Sequence, residues 1–185
     1  MSLLEARPLE LVELIELTPR RFGDERGFFS EVWNHARFAE AGIPTQFVQD
    51  NVSLSRTKGV LRGLHFQMPP AAQAKLVRVS RGSIFDVGLD IRRSSPTFGR
   101  WAGVVLSAEK WNQLYVPEGF AHGFVTLEDD TEVTYKVSAA YSPEHDRSIR
   151  FDDPTIGIDW PLDGEPTLSD KDAAAPLLAD IDTGF

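Results

Sequence analysis

The chain has 185 residues, of which 42% are hydrophobic and 25% charged, so it can bury a core without disulfides or metal. Its formal net charge of -9 disfavours the extended basic surface that a nucleic-acid-binding protein needs. Because the sequence holds no cysteine, disulfide bonds, thiolate metal sites and cysteine nucleophiles are excluded.

The sequence gives no sign of a membrane-bound or exported protein. No apolar run approaches the roughly 20 residues that a membrane-spanning helix needs. Residues 1–10 carry acidic side chains and lack a signal-peptide core. We therefore expect a cytoplasmic protein with no membrane partner, folded as one domain over residues 1–185.

Helix is expected in only two places. The first helix is predicted over residues 35–41, with Asn34 as its N-cap and Gly42 just beyond its end. The segment after Leu168 is expected to finish in a second, short helix. The rest of the sequence alternates apolar and polar residues between turns rich in Gly, Pro, Asp and Ser, which is typical of antiparallel sheets.

Several predicted strands place polar side chains among apolar neighbours. Over residues 83–91 one face is apolar and the other carries Asp86 and Asp90. Lys75 and Tyr135 each share a strand face with apolar residues. The pattern as a whole predicts an all-β protein, a small β-barrel or jelly roll with an N-terminal β extension.

Two histidines stand in apolar segments. His65 occurs within residues 59–67, where regular alternation puts Arg62 and His65 on opposite faces of a strand. A buried structural histidine is the alternative for His65 taken alone. His122 ends the pattern P-x-G-x-x-H within residues 116–124, which resembles the second motif of the cupin fold.

Metal-binding cupins usually supply a His-x-His pair and a carboxylate from their first motif, and these join the later histidine around one ion. Here Gly63 and Gln67 stand two residues before and after His65. The ligand set for a transition metal is therefore incomplete. We expect no metal, and we expect His65 to be free to act as a base.

Ordered segments along nearly the whole chain carry a resemblance to one known family. They are residues 22–31, 47–51, 62–67, 74–78, 85–87, 94–99, 116–124, 135–136, 142–145 and 168–172. These segments are similar to the dTDP-4-dehydrorhamnose 3,5-epimerase family. The resemblance implies a cupin-type jelly-roll β-barrel with short helices and a homodimer in which N-terminal strands, about residues 1–35, are exchanged.

The family's reaction explains why such residues are needed. The resemblance implies inversion at C3 and C5 of dTDP-4-keto-6-deoxy-D-glucose, which gives dTDP-4-keto-L-rhamnose. The C4 ketone acidifies the hydrogens on both carbons, so each centre can invert through an enolate without a redox cofactor. A base on one face, an acid on the opposite face and a cation near the enolate oxygen are required.

The resemblance also implies the role of each site residue. His65 resembles the base, oriented by Asp172, while Tyr135 resembles the acid and Lys75 the enolate stabiliser. Ten further residues resemble substrate-binding positions: Phe22, Arg26, Phe29, Glu31, Gln49, Asn51, Arg62, His122, Tyr141 and Lys171. The first four are expected to reach the nucleotide of a neighbouring subunit.

Some readings of these residues stay open. A charged surface hairpin is the alternative for Arg26. Ala140 stands where the family often has a tyrosine beside Tyr141, which affects nucleobase packing. A single-centre epimerase acting at C3 or C5 in an antibiotic-sugar pathway would use the same base and acid. A metal-dependent cupin and a barrel that binds a sugar nucleotide without catalysis are the alternatives from other classes.

Overall fold

Strands make up most of the architecture, and the computed structural model describes residues 2–185. In chain order the strands are β1 Leu4–Pro8, β2 Ile15–Pro19, β3 Phe22–Asp24, β4 Gly27–Phe29, β5 Gln49–Ser55, β6 Leu61–Gln67, β7 Lys75–Arg81, β8 Ser83–Asp90, β9 Trp101–Ser107, β10 Gln113–Val116, β11 Phe120–Thr126, β12 Thr131–Val137 and β13 Asp146–Ser148.

The strands form two main antiparallel sheets and one separate hairpin. A six-stranded sheet has the order β1-β2-β10-β7-β12-β5, and a five-stranded sheet has the order β13-β6-β11-β8-β9. Strands β3 and β4 pair only with each other in the described part of the chain. The two sheets pack as a sandwich, which confirms the predicted all-β jelly roll of the cupin type with an N-terminal β extension.

The core between the sheets joins apolar side chains from both of them. Val77 and Val133 of the six-stranded sheet pack in one cluster with Ile84, Leu106 and Phe124 of the five-stranded sheet. Because large aliphatic and aromatic side chains leave water here, this cluster supplies much of the free energy that holds the sheets together. It also forms the apolar base on which the polar cavity described below rests.

A second apolar cluster lies on the other side of the five-stranded sheet. Leu64 and Leu89 pack there against Ile149, Ile156 and Leu178 from the C-terminal part of the chain. The apolar face predicted for β8 therefore faces this C-terminal segment. Since neighbouring side chains of a strand alternate, the aspartates of β8 are directed to the space between the sheets.

Both predicted helices are present. Helix α1, His35–Glu40, begins after Asn34, whose side chain accepts a hydrogen bond from the Arg37 amide, as a capping residue does. Helix α2, Asp170–Ala173, follows Leu168 and is capped by Ser169. In the described chain, neither helix is long and apolar enough to cross a membrane.

One prediction about β6 is wrong. In the pairing of β11 with β6, His122 lies opposite His65 and Phe124 lies opposite Arg62, so two steps along β11 match three along β6. The extra residue is a β-bulge, which reverses the alternation. Arg62 and His65 therefore point to the same side. Gly63 occupies the bulge with φ of 125°, in the region that favours glycine.

Candidate active site

A cavity of about 520 Å³ opens between the sheets. A second cavity of about 380 Å³ adjoins it. The side chains that border both cavities are His65, Lys75, Tyr135 and Lys171. The two cavities therefore form one cleft, in which the four shared residues stand at the junction. This cleft has the size and concave shape of a small-molecule site.

His65 and Asp172 form a close ionisable pair in the larger cavity. Nε2 of His65 lies 2.5 Å from Oδ1 of Asp172. Asp172 is only 3% exposed and belongs to α2, where its backbone amide donates to the Ser169 hydroxyl. Burial raises the pKa of Asp172, but hydrogen bonds and electrostatic attraction from His65, with further hydrogen bonds from Ser169 and the Gly63 amide, outweigh burial, so the net pKa lies below its usual range. The carboxylate is therefore ionised near neutral pH.

Lys75 brings a buried ammonium to the same cavity. The residue is 8% exposed, and its Nζ lies 3.4 Å from the carbonyl oxygen of His65. Burial lowers the pKa of Lys75 to about 8, although the charges of Asp146 and Asp86 oppose this effect. The ammonium is thus largely charged at neutral pH while sitting in a water-poor place, where its field on a bound ligand is strong.

Tyr135 borders the cleft from the six-stranded sheet, whereas His65 belongs to the five-stranded sheet. Tyr135 pairs with Val77 and Val137 pairs with Lys75, so Tyr135 and Lys75 are diagonal neighbours on one face. Burial raises the pKa of Tyr135, more than the nearby Arg62 lowers it. Its hydroxyl therefore keeps its proton at neutral pH and can donate it.

His122 forms a second buried pair, with Asp86. Nε2 of His122 lies 2.7 Å from Oδ1 of Asp86, which is fully buried. Burial lowers the pKa of His122 in spite of the carboxylate beside it. Oδ2 of Asp86 has no hydrogen-bond partner among residues 2–185. In the sequence, Asp86 belongs to the family-like segment 85–87, but its pairing with His122 joins different strands and was not predicted.

Arg62 lines the larger cavity as a result of the bulge in β6. Its guanidinium donates to the hydroxyl of Ser55 and to the carbonyl oxygen of Leu54, each at 3.3 Å. These hydrogen bonds hold the Arg62 side chain against β5, and other N–H groups of the guanidinium remain available for a ligand. Three serines that were not predicted as site residues, Ser53, Ser55 and Ser169, also line this cavity. Of these, Ser169 is marked in the sequence by its N-cap position before α2.

The adjoining cavity collects four of the predicted substrate-binding residues: Gln49, Asn51, Tyr141 and Lys171. Lys171 forms an ion pair with Asp146, and the hydroxyl of Tyr141 donates to the same carboxylate at 3.2 Å. The side-chain amide of Gln49 donates to Asn51 at 2.8 Å. Asp146 was not predicted from the sequence, because nothing in its local pattern distinguishes it from a surface aspartate.

The other four predicted residues lie outside this cleft in the same chain. Phe22, Arg26 and Phe29 are on the exposed hairpin β3–β4, where Arg26 pairs with Asp24 at 2.5 Å. Glu31 follows the hairpin and pairs with Arg37 of α1. A single chain therefore does not bring these four side chains to its own cleft.

In the described part of the chain, the donor side chains do not converge on a metal site. Within residues 2–185, no three or more His, Asp or Glu side chains are grouped so that they could hold one ion. The nitrogens of His65 and His122 that lie near carboxylates are each engaged with a separate aspartate, Asp172 or Asp86. The expectation that activity needs no metal stays a prediction.

Proton transfer is the chemistry that this cleft supports. An oriented imidazole and a protonated phenol reach one cavity from opposing sheets, and a buried ammonium lies beside them. Such a set can remove and return a proton and can stabilise the anion formed in between. The fold and the cleft thus define an acid–base enzyme of the cupin type.

Comparisons with known proteins identify the family. The model of the family described as dTDP-4-dehydrorhamnose 3,5-epimerase matches residues 8–180. The dTDP-4-dehydrorhamnose 3,5-epimerase of Salmonella typhimurium is 56% identical over 167 residues, covering 90% of this chain and 91% of that protein. The chain belongs to the dTDP-4-dehydrorhamnose 3,5-epimerase family, which confirms the resemblance found in the sequence and makes it an isomerase.

Solved structures agree with this assignment. A 3,5-epimerase from Legionella pneumophila, in complex with dTDP-4-keto-L-rhamnose, superposes with a TM-score of 0.93 at 49% identity, covering 97% of this chain and 95% of that one. A 3'-monoepimerase from Streptomyces bikiniensis, in complex with dTDP-quinovose, superposes with a TM-score of 0.87 at 38% identity. The match covers 94% of this chain and 87% of that one. The matches support an epimerase over a metal-dependent cupin or a non-catalytic barrel.

Proposed function

We propose that this chain inverts C3 and C5 of dTDP-4-keto-6-deoxy-D-glucose and so forms dTDP-4-keto-L-rhamnose. The observation that carries the proposal is the placement of His65 and Tyr135 on opposing sheets around one cavity. A sugar ring held between them would present one face to the base and the other to the acid. We place the reaction in the cytoplasm, the location that the cysteine-free sequence favours.

Each inversion proceeds in two proton transfers. Nδ1 of His65 takes a proton from the carbon beside the ketone, and the electron pair of the broken C–H bond moves to the C4 oxygen, forming an enolate. Tyr135 then gives its hydroxyl proton to the opposite face of the same carbon, and the ketone re-forms. Solvent takes the proton from the imidazolium and returns one to the phenolate, so no electrons are gained or lost.

The buried cation governs how easily the enolate forms. The ammonium of Lys75 would lie near the C4 oxygen, where negative charge develops as the C–H bond breaks. Arg62 and His122 border the same cavity and would hold the oxygens of the sugar ring. Because these groups are fixed by the strands before the substrate arrives, little reorganisation is needed during the reaction.

The nucleotide part of the substrate would bind in the adjoining cavity. Gln49, Asn51, Tyr141 and Lys171 border that cavity and offer amide groups, an aromatic ring and an ammonium for a nucleoside diphosphate. Phe22, Arg26, Phe29 and Glu31 would complete the nucleotide site of a second subunit, because they lie outside the cleft of their own chain. The active form is then a homodimer in which each N-terminal segment serves its partner.

The experiment that tests this function is turnover of dTDP-4-keto-6-deoxy-D-glucose in deuterated water, followed by NMR. We expect deuterium at both C3 and C5, and the same rate with excess EDTA. Label at C3 alone would identify a single-centre enzyme, as the name of the Streptomyces bikiniensis relative describes for that protein. Absence of label with normal dTDP binding would contradict catalysis, and loss of turnover with EDTA would contradict a metal-free reaction.

A further inference from the structure

The hairpin β3–β4 depends on few contacts for its orientation. Its strands pair only with each other within the described residues, and every one of their side chains is exposed. Within residues 2–185, no ladder of main-chain hydrogen bonds to either large sheet fixes the angle of the hairpin. Side-chain contacts at its base must therefore set the direction in which it projects.

Those contacts converge on Trp111. The ring of Phe28, in β4, meets Trp111 edge to face with centroids 4.9 Å apart. The indole Nε1–H of Trp111 donates to the hydroxyl of Ser30, directly after β4, at 2.9 Å. Arg21, which precedes β3, places its guanidinium 5.9 Å from the Trp111 ring centre and 5.4 Å from that of Phe28. One indole thus touches the chain before, within and after the hairpin.

Trp111 is itself held firmly by the turn between β9 and β10. Its amide donates to the carbonyl oxygen of Ser107 at 3.0 Å, and its φ of 62° lies in the left-handed region, uncommon for a residue with a large side chain. The guanidinium of Arg78, in β7, also lies over the indole, 5.1 Å from the ring centre. The guanidinium of Arg21 also donates to the carbonyl oxygen of Glu109 in the same turn.

We propose that Trp111 is a positioning residue for nucleotide binding: it fixes the angle of the hairpin and so brings Arg26 to the diphosphate in the partner subunit. This inference rests on the proposed function, in which the hairpin serves the neighbouring site. Trp111 does not line the cleft of its own chain. Its removal should therefore affect substrate capture and leave the proton transfers unchanged.

The test measures KM and kcat for Trp111→Ala, Trp111→Phe and Ser30→Ala, with Arg26→Ala for comparison. We expect Trp111→Ala to raise KM about tenfold, because the hairpin loses both an aromatic contact and a hydrogen bond, with kcat within about twofold of the parent. Trp111→Phe keeps a ring for Phe28 and Arg21 but loses the Nε1–H, so it should match Ser30→Ala, with a KM increase of about two- to threefold. These milder variants keep the test valid if Trp111→Ala folds poorly.

A double-mutant cycle separates this inference from the proposed function. If Trp111 acts through the hairpin, Trp111→Ala should add less than about twofold to KM once Arg26 has been removed. Additive effects, or a fall in kcat with KM unchanged, would overturn the positioning role. A raised KM in Arg26→Ala but not in the Trp111 variants would reject the positioning role of Trp111 and leave the role of Arg26 in nucleotide binding intact. An unchanged KM in Arg26→Ala would reject the hairpin's role in nucleotide binding, and the inference with it.

Discussion

Nε2 of His65 lies 2.5 Å from Oδ1 of Asp172, a residue 107 positions further along the chain. An ionised carboxylate can only accept hydrogen bonds, so the imidazole carries its hydrogen on Nε2 and keeps a lone pair on Nδ1. Asp172 is held by its place in the capped helix α2 and lies within 3.5 Å of the Gly63 amide. Asp172 thus selects the imidazole tautomer in which His65 can act as a base.

The first prediction concerns that partner. Asp172→Asn keeps the shape of the side chain, but its amide can donate to Nε2 and so favour the imidazole form whose Nδ1 carries the hydrogen. We expect kcat to fall by about a thousandfold or more, as happens when a His–Asp pair loses its carboxylate. Affinity for dTDP, measured by calorimetry, should stay near the parent value. A kcat close to that of the parent would contradict the orienting role.

The second prediction separates the base from the acid. His65→Asn should abolish both deuterium uptake and product, because no group can then remove the proton. Tyr135→Phe should retain some deuterium exchange, since the base can still form the enolate and return label to the same face. Product formation by Tyr135→Phe should fall by about a hundredfold or more, the usual effect of losing a positioned acid.

Folding must be controlled in this pair, because a buried side chain also contributes to packing. Circular dichroism and dTDP binding should therefore match the parent in both variants. Equal loss of exchange in His65→Asn and Tyr135→Phe, with both proteins folded, would argue against separate roles. Normal inversion by Tyr135→Phe would remove Tyr135 from the mechanism.

The third prediction is a pH dependence caused by Lys75. Its pKa is lowered to about 8, so the ammonium is present below pH 8 and is lost as the pH rises through that value. We expect kcat/KM to decline above about pH 8. Tyr135 cannot cause this decline, because burial raises its pKa above the ordinary value of 10. A rate that stays level up to pH 10 would exclude Lys75 as the charged stabiliser.

Asp86→Asn supplies a matched test of the same prediction. The charge of Asp86 raises the pKa of Lys75, as does that of Asp146, while Lys171 lowers it. Removing the charge of Asp86 while keeping its shape should move the decline of kcat/KM to a lower pH. The amide can still bond to His122, so a change confined to the pH profile points to charge and not to packing. If the pH profile of kcat/KM did not shift, the charge of Asp86 would not raise the pKa of Lys75.

The fourth prediction concerns the stability of the bulge. A Cβ atom added to Gly63 would lie 2.6 Å from the Gly123 Cα and 2.8 Å from the His122 carbonyl oxygen, both of which are backbone atoms. We expect Gly63→Ala to lower the free energy of unfolding by about 3 kcal/mol, because neither atom can move without disturbing β11. Urea denaturation would measure the change.

Gly27→Ala is the control for the part of the Gly63→Ala effect that comes from backbone strain alone. Gly27 has a φ of 128°, close to the 125° of Gly63, but a Cβ there would meet nothing within 4 Å. Its substitution should cost only the strain of a positive φ, about 1 kcal/mol. If Gly63→Ala and Gly27→Ala lowered the free energy of unfolding equally, the close approach of Gly63 to β11 would contribute nothing to the loss.

The sequence by itself determined the features that depend on near neighbours in the chain. Asn34 caps α1, as predicted, because its side-chain oxygen reaches an amide only three residues ahead, a relation visible in the sequence. The alternation in β8 likewise follows from the two-residue period of a strand. The ordered segments that match the family predicted a shared site for His65, Lys75 and Tyr135, and these three side chains border one cavity.

The tertiary structure alone decided how those residues meet. Regular alternation would separate Arg62 from His65, but the bulge at Gly63 places both on one cavity, because β11 pairs two residues with three. The bond between His122 and Asp86 joins adjacent strands, so no spacing within one segment predicts it. Contacts between distant parts of a chain depend on strand register and burial, which a local pattern does not contain.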